Sequence, residues 1–158
     1  MWLSVSVQQQ AFDLGAEEQA LRQHAGDAGA LVVFQGMVRA HDQAHPLAAL
    51  HLEHYPGVTE NEIERIARQA GKRWPVSACR VVHRVGHLQP GEGIVLVLAA
   101  SAHRRAAFAA AEYLMDYLKT EAPFWKREEF ADGSTHWVAA RASDDAARQR
   151  WSDEAESR

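Results

Sequence analysis

Apolar residues recur along the chain with two periods, and these predict strands in some segments and helices in others. Continuous or alternating apolar runs predict strands at 2–7, 30–38, 47–55, 78–88 and 94–100. The segments 124–130 and 135–140 flank the turn sequence "ADGS" and predict a β-hairpin. Strands are therefore expected throughout the chain, with at least one antiparallel pair near its end.

Capping residues predict where the helices between these strands begin. We expect helix starts at Asp13, at a capping box of Thr59 and Glu62, at Ser101 and at Ser143. The third helix is the longest, from about Ala102 to Glu121, and Pro123 ends it. The interleaved helices and strands, together with the hairpin, predict a mixed α+β fold.

Composition narrows the class of protein. The chain has 158 residues, 47% of them hydrophobic and 24% charged, which suits a single globular domain over 1–158 with a partly flexible tail at about 143–158. A net charge of −4 argues against a nucleic-acid binder. The longest apolar run is too short for a membrane span, and the first ten residues lack the features of a secretory signal. We expect a cytoplasmic protein.

Cysteine and histidine spacing gives little support to metal or thiol chemistry. The single cysteine, Cys79, excludes an internal disulfide, and its alternation with Val81 predicts a buried packing residue. The nine histidines form no HExxH motif, and no cysteine pair accompanies them, so we expect no metal and no cofactor. His83 lies on the same side of its strand as Cys79 and is expected to be a hydrogen-bonded core histidine.

The helix at 102–121 carries two stripes of side chains. One is an apolar core face, and the other runs through Arg104, Phe108, Met115 and Lys119. Its first turn is basic. Positive charge at this end of a helix is unfavourable because of the helix dipole, and a bound anion or nearby acidic side chains would offset that cost. Arg104 and Lys119 are 15 positions apart and hence roughly 22 Å apart along the helix. One site can contain both only if a second, antiparallel copy supplies one of them, as in a two-fold homodimer.

Five motifs in this chain resemble those of a known family. They are "FQGMVR" (34–39), "LEHYPGV" (52–58), "HRVG" (83–86), "SAHR" (101–104) and "MDYLKTEAPFWKRE" (115–128). In this order they are similar to the large, catalytic subunit of molybdopterin synthase. The resemblance implies an α/β hammerhead-like core with an additional antiparallel sheet, and a homodimer within a heterotetramer. It also implies a small ubiquitin-like sulfur-carrier partner, whose thiocarboxylated Gly-Gly tail delivers two dithiolene sulfurs to cyclic pyranopterin monophosphate.

The resemblance also implies which side chains form the site. Catalysis is expected from Lys119 and Lys126. The substrate-binding positions are these two lysines with Met37, Val38, Arg39, His103, Arg104, Arg127 and Glu128. The pocket for the partner's tail is expected to contain Phe34, Met115 and Arg141.

The two lysines suit this chemistry, although the sequence leaves their individual roles open. Either amine can serve as a general acid, a general base or a nucleophile, and fixed cations stabilise the negative charge that develops during sulfur transfer. We favour Lys119 at the acyl carbon and Lys126 at the substrate. Two other functions stay open: a non-catalytic docking module for a ubiquitin-like protein, and a phosphate-ester enzyme that is unrelated to sulfur transfer.

Overall fold

Two β-sheets and four helices make up the part of the chain that the computed structural model describes, residues 1–42, 44–138 and 142–156. The strands are β1 (Trp2–Gln8), β2 (Ala30–Met37), β3 (His41–Asp42), β4 (His45–His54), β5 (Val76–Arg84), β6 (Gly86–Leu88), β7 (Gly93–Ser101), β8 (Phe124–Phe130) and β9 (Thr135–Val138). The helices are α1 (Leu14–Arg22), α2 (Val58–Arg73), α3 (Arg104–Leu118) and α4 (Ala142–Glu156).

The first sheet has the strand order β1-β5-β7-β2, in which only β1 and β5 run parallel. Helices cover both of its faces, which explains why β7 is apolar along nearly its whole length. Val81 and Val97 face α2 and α3, in a core that includes Ile66 and Leu114. On the opposite face, Val82 and its neighbours pack against Leu21 of α1.

The second sheet is antiparallel, with the order β3-β4-β8-β9, and β6 pairs with β4. The predicted hairpin is present as β8 and β9. A small apolar cluster that includes Val38, Leu52, Val85 and Leu88 lies where this sheet meets the first one. The mixed α+β fold with an added antiparallel sheet is confirmed. Over the described residues, no helix combines the length and the apolar character that a membrane span requires.

The helix starts predicted at Thr59 and at Ser101 are wrong, because the hydroxyl groups of these residues bond to distant carbonyl groups instead. Helix α2 begins at Val58, and the Glu60 carboxylate accepts a 2.6 Å hydrogen bond from the Gly57 backbone N–H. Thr59 is fully buried; its hydroxyl accepts from the Tyr55 N–H and donates to the Pro123 carbonyl oxygen. Ser101 ends β7 and donates to the carbonyl oxygen of Pro75.

Helix α3 is shorter than the predicted 102–121. It begins at Arg104 after an extended His103, and it ends at Leu118, with Lys119 as the C-terminal cap. Three turn residues and Pro123 then lead into β8. The helix therefore ends about one turn before the predicted end at Glu121, since the chain must reverse before it enters the second sheet.

The C-terminal helix α4 runs from Ala142 to Glu156, from next to the predicted start at Ser143 through most of the segment that is expected to be a tail. One buried side chain, Trp151, anchors it against the rings of Trp74 and Tyr113. The Trp151 indole N–H donates a 2.7 Å hydrogen bond to the carboxylate of Asp116 in α3. The Arg73 guanidinium donates to the Trp151 carbonyl oxygen. The residues that Trp151 contacts lie far from α4 in the sequence, so the pattern of α4 itself does not indicate these contacts.

Candidate active site

A cavity of about 410 Å³ lies where the end of β2, the inner face of the second sheet and the C-terminal end of α3 meet. Its charged lining residues are Arg39, Lys119, Lys126, Glu128 and Asp144. Its apolar lining includes Phe34, Met37, Val38, Met115 and Phe124. The described cations outnumber the described carboxylates in this lining, whereas the chain as a whole carries a net charge of −4. The cavity is therefore suited to an anionic ligand.

Lys119 and Lys126 both line this cavity, although they belong to different elements. Lys119 caps α3, where its backbone N–H donates to the carbonyl oxygen of Met115. Lys126 is the third residue of β8. The turn through Pro123 reverses the chain between them, and the buried hydroxyl of Thr59 holds that turn through the Pro123 carbonyl oxygen, at 3.0 Å.

Side chains that are adjacent in the sequence of β8 face opposite sides of the sheet. Lys126 and Glu128 point to the cavity, and Arg127 points to the opposite face of the sheet. There the Arg127 guanidinium lies 5.7 Å from the ring centre of Trp137 and pairs with Glu129 at 3.4 Å. Of the substrate-binding positions that the resemblance implies, Arg127 therefore lies outside this cavity within one chain.

Glu128 is 6% exposed, and its carboxyl group has a partner that the motifs did not indicate. Burial raises the pKa of Glu128, and the charge and hydrogen bond of Asp42 raise it further, while the charge of Lys126 acts in the opposite direction. Asp42 also lies 3.9 Å from the guanidinium of Arg39 at the cavity rim. The polar segment 39–46 thus contributes an acidic residue to the site.

His103 and Arg104 lie at the far end of α3 and are exposed. Neither of them lines the cavity that contains Lys119. Among the described residues, Arg104 and the neighbouring Arg105 have no acidic partner. Acidic neighbours within the described chain therefore do not explain the basic first turn of α3. Arg141, the remaining site prediction, lies outside the described residues.

Comparison with known proteins decides the family. The sequence model described as "MoaE protein" matches residues 7–121, which is more than half of the chain. The chain belongs to the MoaE family. A curated relative from Mesorhizobium japonicum, named molybdopterin synthase catalytic subunit, is 53% identical over 154 residues, which cover 97% of this chain and 96% of the relative.

Solved structures of MoaE relatives have the same fold. The MoaE protein from Burkholderia ambifaria superimposes with a TM-score of 0.81 at 50% identity, over 95% of this chain and 98% of that one. A chain from Helicobacter pylori, in a protein–protein complex of subunits 1 and 2 of molybdopterin-converting factor, gives a TM-score of 0.71 at 22% identity. That match covers 87% of this chain and 91% of that one. The resemblance seen in the motifs is confirmed, and the chain is an enzyme of molybdenum cofactor biosynthesis.

Two further residues bear on the chemistry of the MoaE cavity. Cys79 is 1% exposed, as predicted, and burial raises the pKa of its thiol to about 12, so the thiolate that a sulfur nucleophile needs is suppressed. His83 is hydrogen-bonded, as predicted, through Nδ1 to the carbonyl oxygen of Arg84 at 2.9 Å. It also lines the cavity, which its strand pattern did not indicate. No group of three metal-ligating side chains occurs among the residues that the structure describes.

Proposed function

We propose that this cavity is the site at which two dithiolene sulfurs are inserted into cyclic pyranopterin monophosphate to make molybdopterin. The sulfur arrives as the thiocarboxylate at the C-terminus of a small ubiquitin-like carrier subunit. The observation that carries the proposal is that Lys119 and Lys126, from different elements, line one cavity. The names of the relatives, molybdopterin synthase catalytic subunits, support the same reaction.

The positions of the two lysines support a division of roles. Lys119 is exposed at the cap of α3, close to Met115, and is thus open to an incoming peptide tail. Lys126 is half-buried, between Phe124 and Glu128 on the inner face of β8. We therefore assign Lys119 to the carrier's acyl carbon, where its cation stabilises the developing oxyanion, and Lys126 to the pterin substrate.

The walls of the cavity suit a thin, extended tail. Phe34 is 39% exposed and Met37 is 59% exposed, which leaves apolar surface at the entrance. A Gly-Gly terminus has no side chains, so it fits between such walls without displacing them. Arg39 at the rim offers a forked donor to a carboxylate or a phosphate. We place Arg141 in the same tail pocket.

A second copy of the chain is part of the proposal. Since His103 and Arg104 lie roughly 22 Å from Lys119 along α3, they reach a phosphate in this cavity only from a partner subunit. Strand β2 is an edge strand of the first sheet, and its Phe34, on the face that α3 covers, is exposed like Phe108 of α3. This apolar strip supports an isologous dimer with an antiparallel pair of α3 helices. With one carrier bound to each copy, the assembly is a heterotetramer in the cytoplasm.

One reconstitution separates this function from its alternatives. The purified chain is incubated with thiocarboxylated carrier and cyclic pterin, and dithiolene formation is measured. A docking module binds the carrier without making product, and a phosphate-ester enzyme consumes the pterin without needing the carrier. We expect dithiolene to form only when all three components are present. Absence of dithiolene under these conditions would reject the proposal.

A further inference from the structure

Arg84 belongs to the motif "HRVG", and neither the resemblance nor the proposed reaction gives its side chain a role. It is the last residue of β5, and only 7% of its surface is exposed. Its guanidinium donates to the Gln9 carbonyl oxygen at 2.8 and 3.1 Å, to the Glu92 carboxylate at 3.3 Å and to the Gly93 carbonyl oxygen at 3.4 Å. Arg84 therefore fixes the start of β7 and the turn at 89–93 that precedes it.

The turn at 89–93 is bonded on its other side to Val38, which lines the cavity and is 5% exposed. The Val38 N–H donates to the Glu92 carbonyl oxygen at 2.9 Å, and the Val38 carbonyl oxygen accepts from the Gly91 N–H at 2.8 Å. Both backbone polar groups of Val38 thus bond to this turn. The position of Val38 in the cavity wall is therefore set by the turn that Arg84 fixes.

Val38 lies between Met37 and Arg39, and both of these residues line the cavity. The register of β2 with β7 shifts at this end of the strand, so regular pairing no longer directs the chain beyond it. The two hydrogen bonds of Val38 take over this role on one side of Arg39. On the other side, the Ala40 carbonyl oxygen accepts from the Leu47 N–H at 2.9 Å. The turn and the second sheet are thus the two backbone anchors of Arg39.

We propose that Arg84 is a positioning residue for Arg39, which it fixes at the cavity rim through the 89–93 turn and Val38. Arg84 itself lies outside the cavity lining. The side chain of Arg39 is 65% exposed, and its ion pair with Asp42 is long, at 3.9 Å. Such a pair adds little order, so the backbone decides where the forked guanidinium meets an anion. The effect on the reaction rests on the proposed function, whereas the series of hydrogen bonds does not.

Arg84→Met and Arg80→Met form a matched pair, since each removes an arginine of β5 whose side chain is mostly buried. Arg80 bonds to Glu17 of α1 and to two serines of β1, none of which lines the cavity. An anion bound by Arg39 keeps its charge in the ground state and in the transition state. We therefore expect Arg84→Met to raise KM for the cyclic pterin about 10-fold, with kcat changed less than about 3-fold. Arg80→Met should leave both constants near the wild-type values. An unchanged KM in Arg84→Met, or an equal rise in both variants, would overturn the proposal.

A double-mutant cycle tests whether Arg84 acts through Arg39. In the Arg39→Met background, the guanidinium that Arg84 positions is already absent. We therefore expect Arg84→Met to raise KM no further in that background. Increases in KM that multiply in the double variant would show that Arg84 acts by another route and would reject the positioning role.

Gly91→Ala disturbs the same series of contacts from the other side and leaves Arg84 intact. Gly91 has a φ of +89°, which strains an alanine, and its position is open, so an added methyl group meets no neighbouring atom. We expect a rise in KM of the same kind as in Arg84→Met, again with little change in kcat. This variant decides the question if Arg84→Met does not fold, and an unchanged KM in it would count against the proposal.

Amide hydrogen exchange tests the series of hydrogen bonds on the full chain, without carrier or substrate. The N–H groups of Val38 and Gly91 donate within the protein, so both should exchange slowly in the wild type. Measured relative to the amides of β7, their exchange should be about 10-fold faster in Arg84→Met and unchanged in Arg80→Met. The same relative rates in both variants would overturn the proposal. If the wild type makes no dithiolene, the proposed function fails, and the exchange rates still decide whether Arg84 fixes Val38.

Discussion

The hydroxyl of Thr59 donates a 3.0 Å hydrogen bond to the carbonyl oxygen of Pro123, across 64 positions of sequence. The same hydroxyl accepts from the Tyr55 N–H at 3.0 Å. One fully buried side chain thus ties the start of α2 to the turn between Lys119 and Lys126. The relative placement of the two lysines therefore depends on a residue outside the cavity.

Thr59→Val tests this tie with little change in side-chain shape. We expect it to lower the free energy of unfolding by about 1–3 kcal/mol, because two backbone groups lose their partner inside the protein. Turnover should fall as well, since the turn that sets the position of Lys126 relative to Lys119 loses its anchor. Urea unfolding and dithiolene assays measure the two effects. Thr59→Ser, which keeps the hydroxyl, is the matched control and should lie much closer to the wild type in both.

Lys126→Ala and Arg127→Ala test which face of β8 is used. We expect Lys126→Ala to reduce turnover by about 10²-fold or more, which is the usual effect of removing one group that stabilises charge in a transition state. Carrier binding should change far less. Arg127→Ala should reduce turnover much less, because Arg127 packs over Trp137 on the opposite face. Steady-state kinetics and a carrier titration give both quantities. Similar losses for the two variants would place Arg127 in the site, for instance across a subunit interface.

Mixed dimers test whether two subunits share each pocket. Lys119→Ala and Arg104→Ala chains should each be nearly inactive alone. After unfolding and refolding together, half of the dimers are hybrids, and each hybrid has one intact site out of two. Activity should therefore recover to roughly a quarter of the wild-type value. No recovery, with hybrid dimers verified by mass spectrometry, would reject the shared pocket.

Trp151→Ala tests the docking of the C-terminal helix. Trp151 is 5% exposed and packs on α2 and α3, so its truncation should lower the free energy of unfolding by about 3–5 kcal/mol. Trp125→Ala is the control of the same chemical type, since Trp125 is 46% exposed on β8. We expect less than about 1 kcal/mol there. A comparable loss at both positions in denaturant unfolding would contradict the anchoring role of Trp151.

The histidine in the cavity predicts a pH dependence of stability. The pKa of His83 is about 4 in the folded chain and near 6.5 when unfolded, so the unfolded state binds more protons between these values. Stability should therefore fall as pH drops from 6.5 towards 4, by up to about 3 kcal/mol from this residue. Urea unfolding of wild type and His83→Phe across this range isolates the effect. A stability difference that does not change with pH would contradict the low pKa.

Much of the fold was readable from local patterns. The strands at 30–38, 78–88 and 94–100 and the hairpin at 124–140 correspond to β2, β5, β7 and β8–β9, where described. These predictions succeeded because strand and helix periods act within one segment. The helix starts at Thr59 and Ser101 failed because their hydroxyls bond to distant carbonyl groups, at Pro123 and Pro75. A capping residue and a buried long-range donor look alike in sequence.

The sequence by itself determined the family and indicated the lysines at 119 and 126. It also showed that Arg104 and Lys119 cannot belong to one site within one chain, because the length of a helix follows from its residue count. Only the tertiary structure decided which face of β8 borders the cavity, that Asp42 meets Glu128, and that His83 lines the site beside Phe124. The physical reason is common to all three. Each depends on the packing of segments that are far apart in the chain, and no local period contains that information.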